Sequence, residues 1–153
     1  MKKIFFIFSL LSLLLVVSAC ASKPMMDQLD ERGFYPYSNN ELGFSLPLTK
    51  EFQYYQTQRI DKPDFKELDI FVPTADTNIP EIVPGYAEPI IVRAYDKNFY
   101  NGLSEADRNE LVKVGEKGSK IYALKFWDII PADWKDKWTE AMKQQLIGNF
   151  KLK

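Results

Sequence analysis

Three aspartates and three tryptophans lie close together near the end of this sequence, and their types suggest chemistry. They are Trp127, Asp128, Asp133, Trp134, Asp136 and Trp138. Paired carboxyls beside exposed indoles are typical of a glycoside hydrolase or a carbohydrate-binding surface. Hydrolysis would require two carboxyls about 5–10 Å apart across a cleft, one of them with a raised pKa. The segment therefore raises the hypothesis of a secreted hydrolase or sugar-binding domain.

The spacing of the same residues favours structural roles. Asp133 is suited to cap a helix, and Asp136 would interact favourably with the positive helix N-terminus. Apolar residues then recur at intervals of three and four, and Gly148 is placed to end the helix. The apolar positions are Trp134, Trp138, Ala141, Met142 and Leu146. We therefore predict an amphipathic C-terminal helix from Asp133 to Gly148 with both tryptophans as core anchors.

Two further groups of residues resemble ligand sites only superficially. Carboxylates at Asp61, Asp64, Glu67 and Asp69 could supply oxygen ligands to Ca²⁺, but they lack the spacing of a calcium loop. We interpret them as a solvated loop and strand face. The segment Gly115–Gly118 lacks the spacing of a phosphate-binding loop, so we interpret it as a turn between two strands.

Composition excludes several classes of function. The 153 residues include no histidine and one cysteine, with 20 basic and 21 acidic side chains. A catalytic Ser-His-Asp or Cys-His system, a His-ligated zinc and an internal disulfide are therefore excluded. Nucleic-acid binders normally carry a basic stripe, and none is present. We expect a protein that is not an enzyme, holds no metal or other cofactor, and does not bind nucleic acid.

The first 19 residues have the pattern of an export signal. Lys2 and Lys3 precede the 14-residue weakly polar run Ile4–Val17, which is shorter than the roughly 20 residues of a spanning helix. The following Val17-Ser18-Ala19-Cys20 resembles the lipobox of bacterial lipoproteins. That resemblance implies cleavage before Cys20 and a lipid on its thiol, which would hold the mature protein to a membrane.

The remainder divides into a tether and one domain. Residues 20–33 are polar and aperiodic after the cysteine, so we interpret them as the lipidated N-terminus and tether, although Met25, Met26 and Leu29 could instead pack on the domain. Residues 34–153 are a usual length for one globular domain.

Ala21, and not aspartate, follows the cysteine. In the lipoproteins of two-membraned bacteria, this residue implies that the protein is transferred to the outer membrane. In a bacterium with one membrane, the protein would be anchored to the outer face of the cytoplasmic membrane.

Alternating apolar residues predict several strands. Leu42–Leu46, Phe52–Thr57 and Glu67–Val72 alternate with a period of two, and Pro89–Tyr95 is apolar on both faces and so is expected in the centre of a sheet. Ser104 precedes a short helical stretch with Asp107 three residues later. Strands followed by interspersed helices predict an α+β fold, mainly an antiparallel β-sheet packed between helices.

One segment of this pattern suggests a family. The run Tyr37-Ser38-Asn39-Asn40-Glu41-Leu42-Gly43-Phe44-Ser45-Leu46-Pro47-Leu48, followed by aromatic residues and a terminal helix running into Gly148-Asn149-Phe150, resembles the PsbP-like and Mog-type superfamily. The resemblance covers most of residues 37–152. It implies an antiparallel sheet between helices and a non-enzymatic protein that attaches to a larger assembly.

The segment Pro73–Pro89 is a stiffened, partly apolar loop. It contains Ile79, Ile82, Val83 and Tyr86 among its prolines, and loops on rigid scaffolds often carry function. These four residues are candidates for binding an envelope protein or assembly. The alternative is a crossover whose apolar residues lie under the sheet. A ligand-carrying lipoprotein with an apolar pocket also remains open.

Overall fold

The fold is that of a computed structural model, which describes residues 28–153. The predicted export signal over residues 1–19 and the predicted lipidation of Cys20 lie outside the described residues, as do Met25 and Met26. Leu29 is 46% exposed. Within residues 28–153, no helix has the length and apolar character needed to cross a bilayer.

Residues 28–153 form two antiparallel sheets and three helices. The eight strands are β1 (Phe34–Asn39), β2 (Phe44–Thr49), β3 (Gln56–Asp61), β4 (Phe65–Pro73), β5 (Tyr86–Asp96), β6 (Val112–Lys117), β7 (Lys120–Phe126) and β8 (Lys151–Leu152). The helices are α1 (Lys97–Gly102), α2 (Glu105–Asn109) and α3 (Glu140–Asn149). The small sheet has the order β1-β2-β8 and the large sheet the order β3-β4-β5-β7-β6.

One hydrophobic core joins both sheets and α3. It contains Phe44, Leu46 and Leu48 from β2, alternate residues of β4, β5 and β7, and Leu146 from α3. The Tyr122 hydroxyl on β7 donates a buried hydrogen bond of 2.9 Å to the Leu42 carbonyl next to β2. The two sheets are therefore linked by a polar contact as well as by apolar packing.

The prediction of a mainly antiparallel α+β fold with a C-terminal helix is confirmed, and β5 lies in the centre of its sheet as expected. The strands form two sheets where one was predicted.

The strand predicted over Phe52–Thr57 is wrong at its start. Lys50–Phe52 is a 3₁₀ turn, and Tyr54 is 66% exposed with φ of 63°, so β3 begins only at Gln56.

The predicted start and end of the terminal helix are also wrong. Helix α3 begins at Glu140, and the Thr139 hydroxyl caps it by accepting a 3.1 Å hydrogen bond from the Met142 amide. The Asp133 carboxylate bonds to another loop and is therefore unavailable as a cap. The helix continues through Gly148 to Asn149. Met142 and Leu146 are buried as predicted.

One local prediction is confirmed, and the turn predicted over Gly115–Gly118 is displaced toward its end, because Gly115, Glu116 and Lys117 belong to β6. The Ser104 hydroxyl accepts a hydrogen bond from the Asp107 amide and caps α2. Gly118 lies in the turn between β6 and β7 with φ of 59°, a conformation that glycine adopts without strain.

The fully buried Leu146 provides a test of how α3 stabilises the domain. We expect Leu146→Ala to lower the free energy of unfolding by about 2–5 kcal/mol, because it leaves a cavity against β2. The exposed neighbour Gln145 is the control, and Gln145→Ala should change that free energy by no more than about 0.5 kcal/mol. Urea unfolding followed by tryptophan fluorescence measures both. Equal effects would contradict the packing of α3 on the core.

Candidate functional site

The three tryptophans pack on one another and on the core. Trp127 makes edge contacts with Trp134 and Trp138 at ring-centroid distances of 5.6 Å and 5.0 Å. Trp134 is 2% exposed, and its indole N–H donates a 3.0 Å hydrogen bond to the Pro73 carbonyl. Its ring is therefore not available to stack on a sugar.

The three aspartates near these tryptophans have separate surroundings. Asp133 accepts hydrogen bonds from the Thr74 hydroxyl at 2.7 Å and from the Ala75 amide at 3.2 Å. Asp128 lies 3.7 Å from the Lys125 ammonium. Asp136 lines a cavity of about 810 Å³ near α3, and neither Asp128 nor Asp133 lines that cavity. The structure thus does not bring Asp128 and Asp136 together in one cleft.

The loop at residues 74–85 is fastened to the segment that carries Trp134. In addition to the two bonds that Asp133 accepts, the Asp76 carboxylate accepts a 2.8 Å hydrogen bond from the Ala132 amide. These reciprocal contacts place the first half of the loop beside residues 132–134. The loop therefore has a defined position relative to the end of β7.

The four loop residues singled out in the sequence have different environments. Ile79 is half-buried against the core, and Ile82 is 63% exposed. Val83 is half-buried in the loop. Tyr86 is half-buried and is the first residue of β5, where it pairs with Pro73. Ile79 thus packs inward, as the crossover interpretation expects, whereas Ile82 faces solvent.

Ile79 and Ile82 form one wall of a cleft of about 250 Å³, which we call the loop cleft. The opposite wall comes from β5 and from residues 125–129. The lining residues are Ile79, Pro80, Ile82, Ala87, Glu88, Ile91, Lys125, Phe126, Trp127, Asp128 and Ile129. Ile129 is 62% exposed, so two exposed isoleucines flank a single depression. Exposed large aliphatic side chains that line one cleft are characteristic of a binding surface.

The floor of the loop cleft continues onto the face of the large sheet that is turned away from the core, which we call the charged face. Its residues follow from the strand register, in which three alternate rungs that cross β4, β5 and β7 share this face. The rungs are Asp69-Ile91-Lys125, Glu67-Arg93-Ala123 and Phe65-Tyr95-Ile121. Because alternate residues of a strand share a face, the four charged side chains of these rungs lie on the same side of the sheet.

A β-bulge adds Glu88 to the charged face. Ile70 pairs with Ile90 and Val72 pairs with Ala87, so Glu88 and Pro89 together lie opposite Phe71. Without this extra residue, the alternation from Ile90 would direct Glu88 into the core. Strict alternation in the sequence therefore could not identify Glu88. Pro89 was the available signal, since proline inside a central strand marks a bulge.

Arg93 is the cation nearest the centre of the charged face, and it is already engaged. Its Nε donates to the Glu67 carboxylate, and Nη1 donates to the Tyr95 hydroxyl at 3.2 Å. Its guanidinium also lies 5.2 Å from the centre of the Phe65 ring. Glu67 and Arg93 therefore neutralise each other and leave Asp69 and Glu88 as carboxyls in excess.

The environment raises the pKa of both excess carboxyls. Burial and the negative charges of Asp69 and Glu67 raise the pKa of Glu88 from 4.5 to about 7. Burial and the charge of Glu67 raise the pKa of Asp69 from 3.8 to about 6. Carboxyls with raised pKa values beside a cleft are typical of functional sites.

The expectation that the acidic stretch is solvated is wrong for two of its members. Glu67 is 7% exposed and Asp69 is 3% exposed, because α1, α2 and the loop at residues 74–85 flank this face of the sheet. Asp61 is exposed as predicted and pairs with Arg59 at 2.8 Å. Among residues 28–153, no three acidic or cysteine side chains are grouped closely enough to hold a metal ion.

The raised pKa of Glu88 predicts how stability depends on pH. The folded state binds this proton more tightly than the unfolded state, so the stabilisation is present below about pH 4.5 and is lost as the pH rises through about 7. We expect the melting temperature to fall between pH 5 and pH 8, and to fall less in Glu88→Gln. Circular dichroism melts at constant ionic strength measure this. Glu81→Gln, at an exposed position of the loop at residues 74–85, should behave as the unaltered protein does.

No protein-family model, curated protein or solved structure matches this chain. Its function is therefore inferred from its own residues and their geometry.

Proposed function

We propose that this protein is an exported, lipid-anchored binding module that attaches to a protein of the cell envelope through the loop cleft, without catalysing a reaction. The observation that carries the proposal is the pair of exposed isoleucines, Ile82 and Ile129, on either side of one cleft. Apolar side chains in this arrangement gain free energy when a partner covers them.

The proposed anchor is supported by the sequence before the described residues. Lys2 and Lys3, the apolar run Ile4–Val17 and the lipobox-like Val17-Ser18-Ala19-Cys20 together favour a lipid on Cys20. Residues 20–33 would then be the tether, and β1 begins at Phe34. A tether of this length would let the loop cleft reach a partner near the membrane surface.

We further propose a PsbP-like classification of the domain. The segment that suggested it forms the hairpin of β1 and β2, whose turn is closed by a 3.0 Å hydrogen bond from the Gly43 amide to the Asn39 carbonyl. The antiparallel strands and the C-terminal position of α3 agree with this classification. Attachment to a larger assembly, as in that superfamily, is consistent with a binding module.

The carbohydrate-binding or hydrolase alternative has less support. It required exposed indoles beside paired carboxyls, whereas Trp134 is buried and Asp133 is bound to Thr74 and Ala75. Asp128 and Asp136 line different cavities. Trp134, Asp133 and Asp128 thus have structural partners that account for them.

The anchor is tested by Cys20→Ser, which removes the thiol that would carry the lipid. We expect the protein to move from the membrane fraction to the soluble exported fraction, because the altered chain has no acyl groups to bury. Cell fractionation with a high-salt wash measures the distribution. A Cys20→Ser protein that still sediments with membranes would contradict the lipoprotein proposal.

The docking surface is tested by photocrosslinking in intact cells that express the full chain. A photoreactive benzoylphenylalanine at position 82 should give a discrete adduct with an envelope protein, and Ile129→Asp should remove most of that adduct. Tyr54 is the matched control position, because it is 66% exposed and lies outside the loop cleft.

The melting temperature of each variant shows whether the loss of an adduct is caused by unfolding. Ile129 is 62% exposed, so Ile129→Asp should leave the melting temperature within a few degrees of the original. Equal adducts from positions 54 and 82, or an adduct from position 82 that is indifferent to Ile129→Asp, would show that the loop cleft is not the docking surface.

A further inference from the structure

The loop cleft carries more carboxyls than its cations neutralise. The charged groups on and beside it are Glu67, Asp69, Glu88, Arg93, Glu110, Lys125 and Asp128. Glu67 pairs with Arg93, and the Lys125 ammonium lies 2.8 Å from Glu110 and 3.7 Å from Asp128. Both cations are thus already engaged, and neither Asp69 nor Glu88 has an ion pair within residues 28–153.

Asp69 is the more deeply placed of these two carboxyls. It is 3% exposed, and its Oδ1 is buried without a hydrogen-bond donor among the described residues. The charge of Arg93 acts on Asp69 without forming an ion pair with it, and a buried carboxylate oxygen that lacks a donor is unfavourable. This orphaned oxygen is an observation independent of the number of acidic residues, and a docked ammonium would supply the missing donor.

Glu88 is the member of the pair that a ligand can reach. It is half-buried and lines the loop cleft together with Ile91 and the two exposed isoleucines. The cleft volume of about 250 Å³ lies below the roughly 300–1,000 Å³ of typical small-molecule pockets. A single long side chain of a docked protein suits this volume.

We propose that the loop cleft receives a lysine side chain of the partner protein, whose ammonium binds Glu88, with Asp69 behind it, while its methylene stem packs against Ile82, Ile91 and Ile129. The proposal rests on the docking cleft proposed above and names the chemistry of its occupant. Lysine combines an apolar stem with a compact terminal charge, and these match the apolar walls and the acidic floor.

This assignment makes binding depend on pH. An ammonium binds the ionised form of Glu88, which predominates only above a pKa of about 7. Affinity should therefore rise with pH, by about tenfold between pH 6 and pH 8. The groups facing Glu88 that would modulate this dependence are Asp69 and Glu67 on β4, Arg93 on β5 and Lys125 on β7.

The test uses n-butylammonium, which reproduces the lysine side chain, with 1-butanol as its uncharged counterpart. Amide chemical shifts of the isotopically labelled full chain report binding to residues around Ile91 and Glu88. We expect n-butylammonium to bind more tightly than 1-butanol at pH 8, and to lose about tenfold in affinity at pH 6. The affinity of 1-butanol should not change with pH.

Two variants separate a specific contact from general attraction between charges. Glu88→Gln should reduce n-butylammonium binding to the level of 1-butanol and remove its pH dependence. Glu81→Gln removes the same charge from an exposed position of the loop and should leave both unchanged. Equal losses in the two variants, no preference for n-butylammonium over 1-butanol, or tighter binding of Mg²⁺ or Ca²⁺ alone at the same residues would overturn the proposal.

The crosslinking result distinguishes a failure of the lysine assignment from a failure of the docking proposal. If position 82 gives the expected adduct but the cleft does not prefer n-butylammonium, the docking proposal stands and the lysine assignment is wrong. If the preference for n-butylammonium is present but no adduct depends on Ile129, the cleft is a cation site that serves another ligand, and both the docking function and the partner lysine are wrong.

Discussion

The burial of the Trp134 side chain is the interaction on which most of this structure depends. Its ring lies 5.8 Å from Phe52, which follows the small sheet, and 5.6 Å from Trp127, which follows the last long strand of the large sheet. Its N–H is bonded to the carbonyl of Pro73, where β4 ends. One side chain thus connects four distant segments, and large aromatic side chains contribute strongly to such contacts through the area they bury. The contact of Trp134 with Pro73 also lies at the point where the loop at residues 74–85 leaves the sheet.

The bulge at Glu88 and Pro89 has a comparable influence on the charged face. It rotates one carboxyl out of the core and places it near Asp69 and Glu67, where their charges and burial disfavour ionisation. The large sheet therefore has two buried faces of different character. The inner face packs apolar residues such as Leu68, Ile70 and Val92 into the core. The outer face combines apolar residues with ionisable ones, and burial of those ionisable groups lowers the free energy of unfolding.

The sequence predicted features that depend on local periodicity and failed where distant contacts decide. The central position of β5 followed from its apolar residues on both faces, and the cap at Ser104 followed from a short motif. The start of α3 was misplaced because Asp133 is as good a cap as Thr139 in isolation, and only the position of Thr74 removes it from that role. The burial of Glu67 and Asp69 was missed because their alternation with apolar residues is equally consistent with a solvated face. Of the candidate site, the loop isoleucines were identified from sequence, whereas Glu88 and Ile129 required the strand register and the cleft.

The loop at residues 74–85 has a further consequence for the strength of the proposed binding. Pro80 and Pro84 restrict its backbone, and Asp76 and Asp133 fasten its first half by hydrogen bonds to and from residues 74–76 and 132. Such a loop has little conformational entropy left to lose when a partner covers it. The free-energy cost of ordering this loop on association is therefore small. A larger part of the free energy gained by burying apolar surface then contributes to the affinity. A small contact area could for this reason support a specific complex.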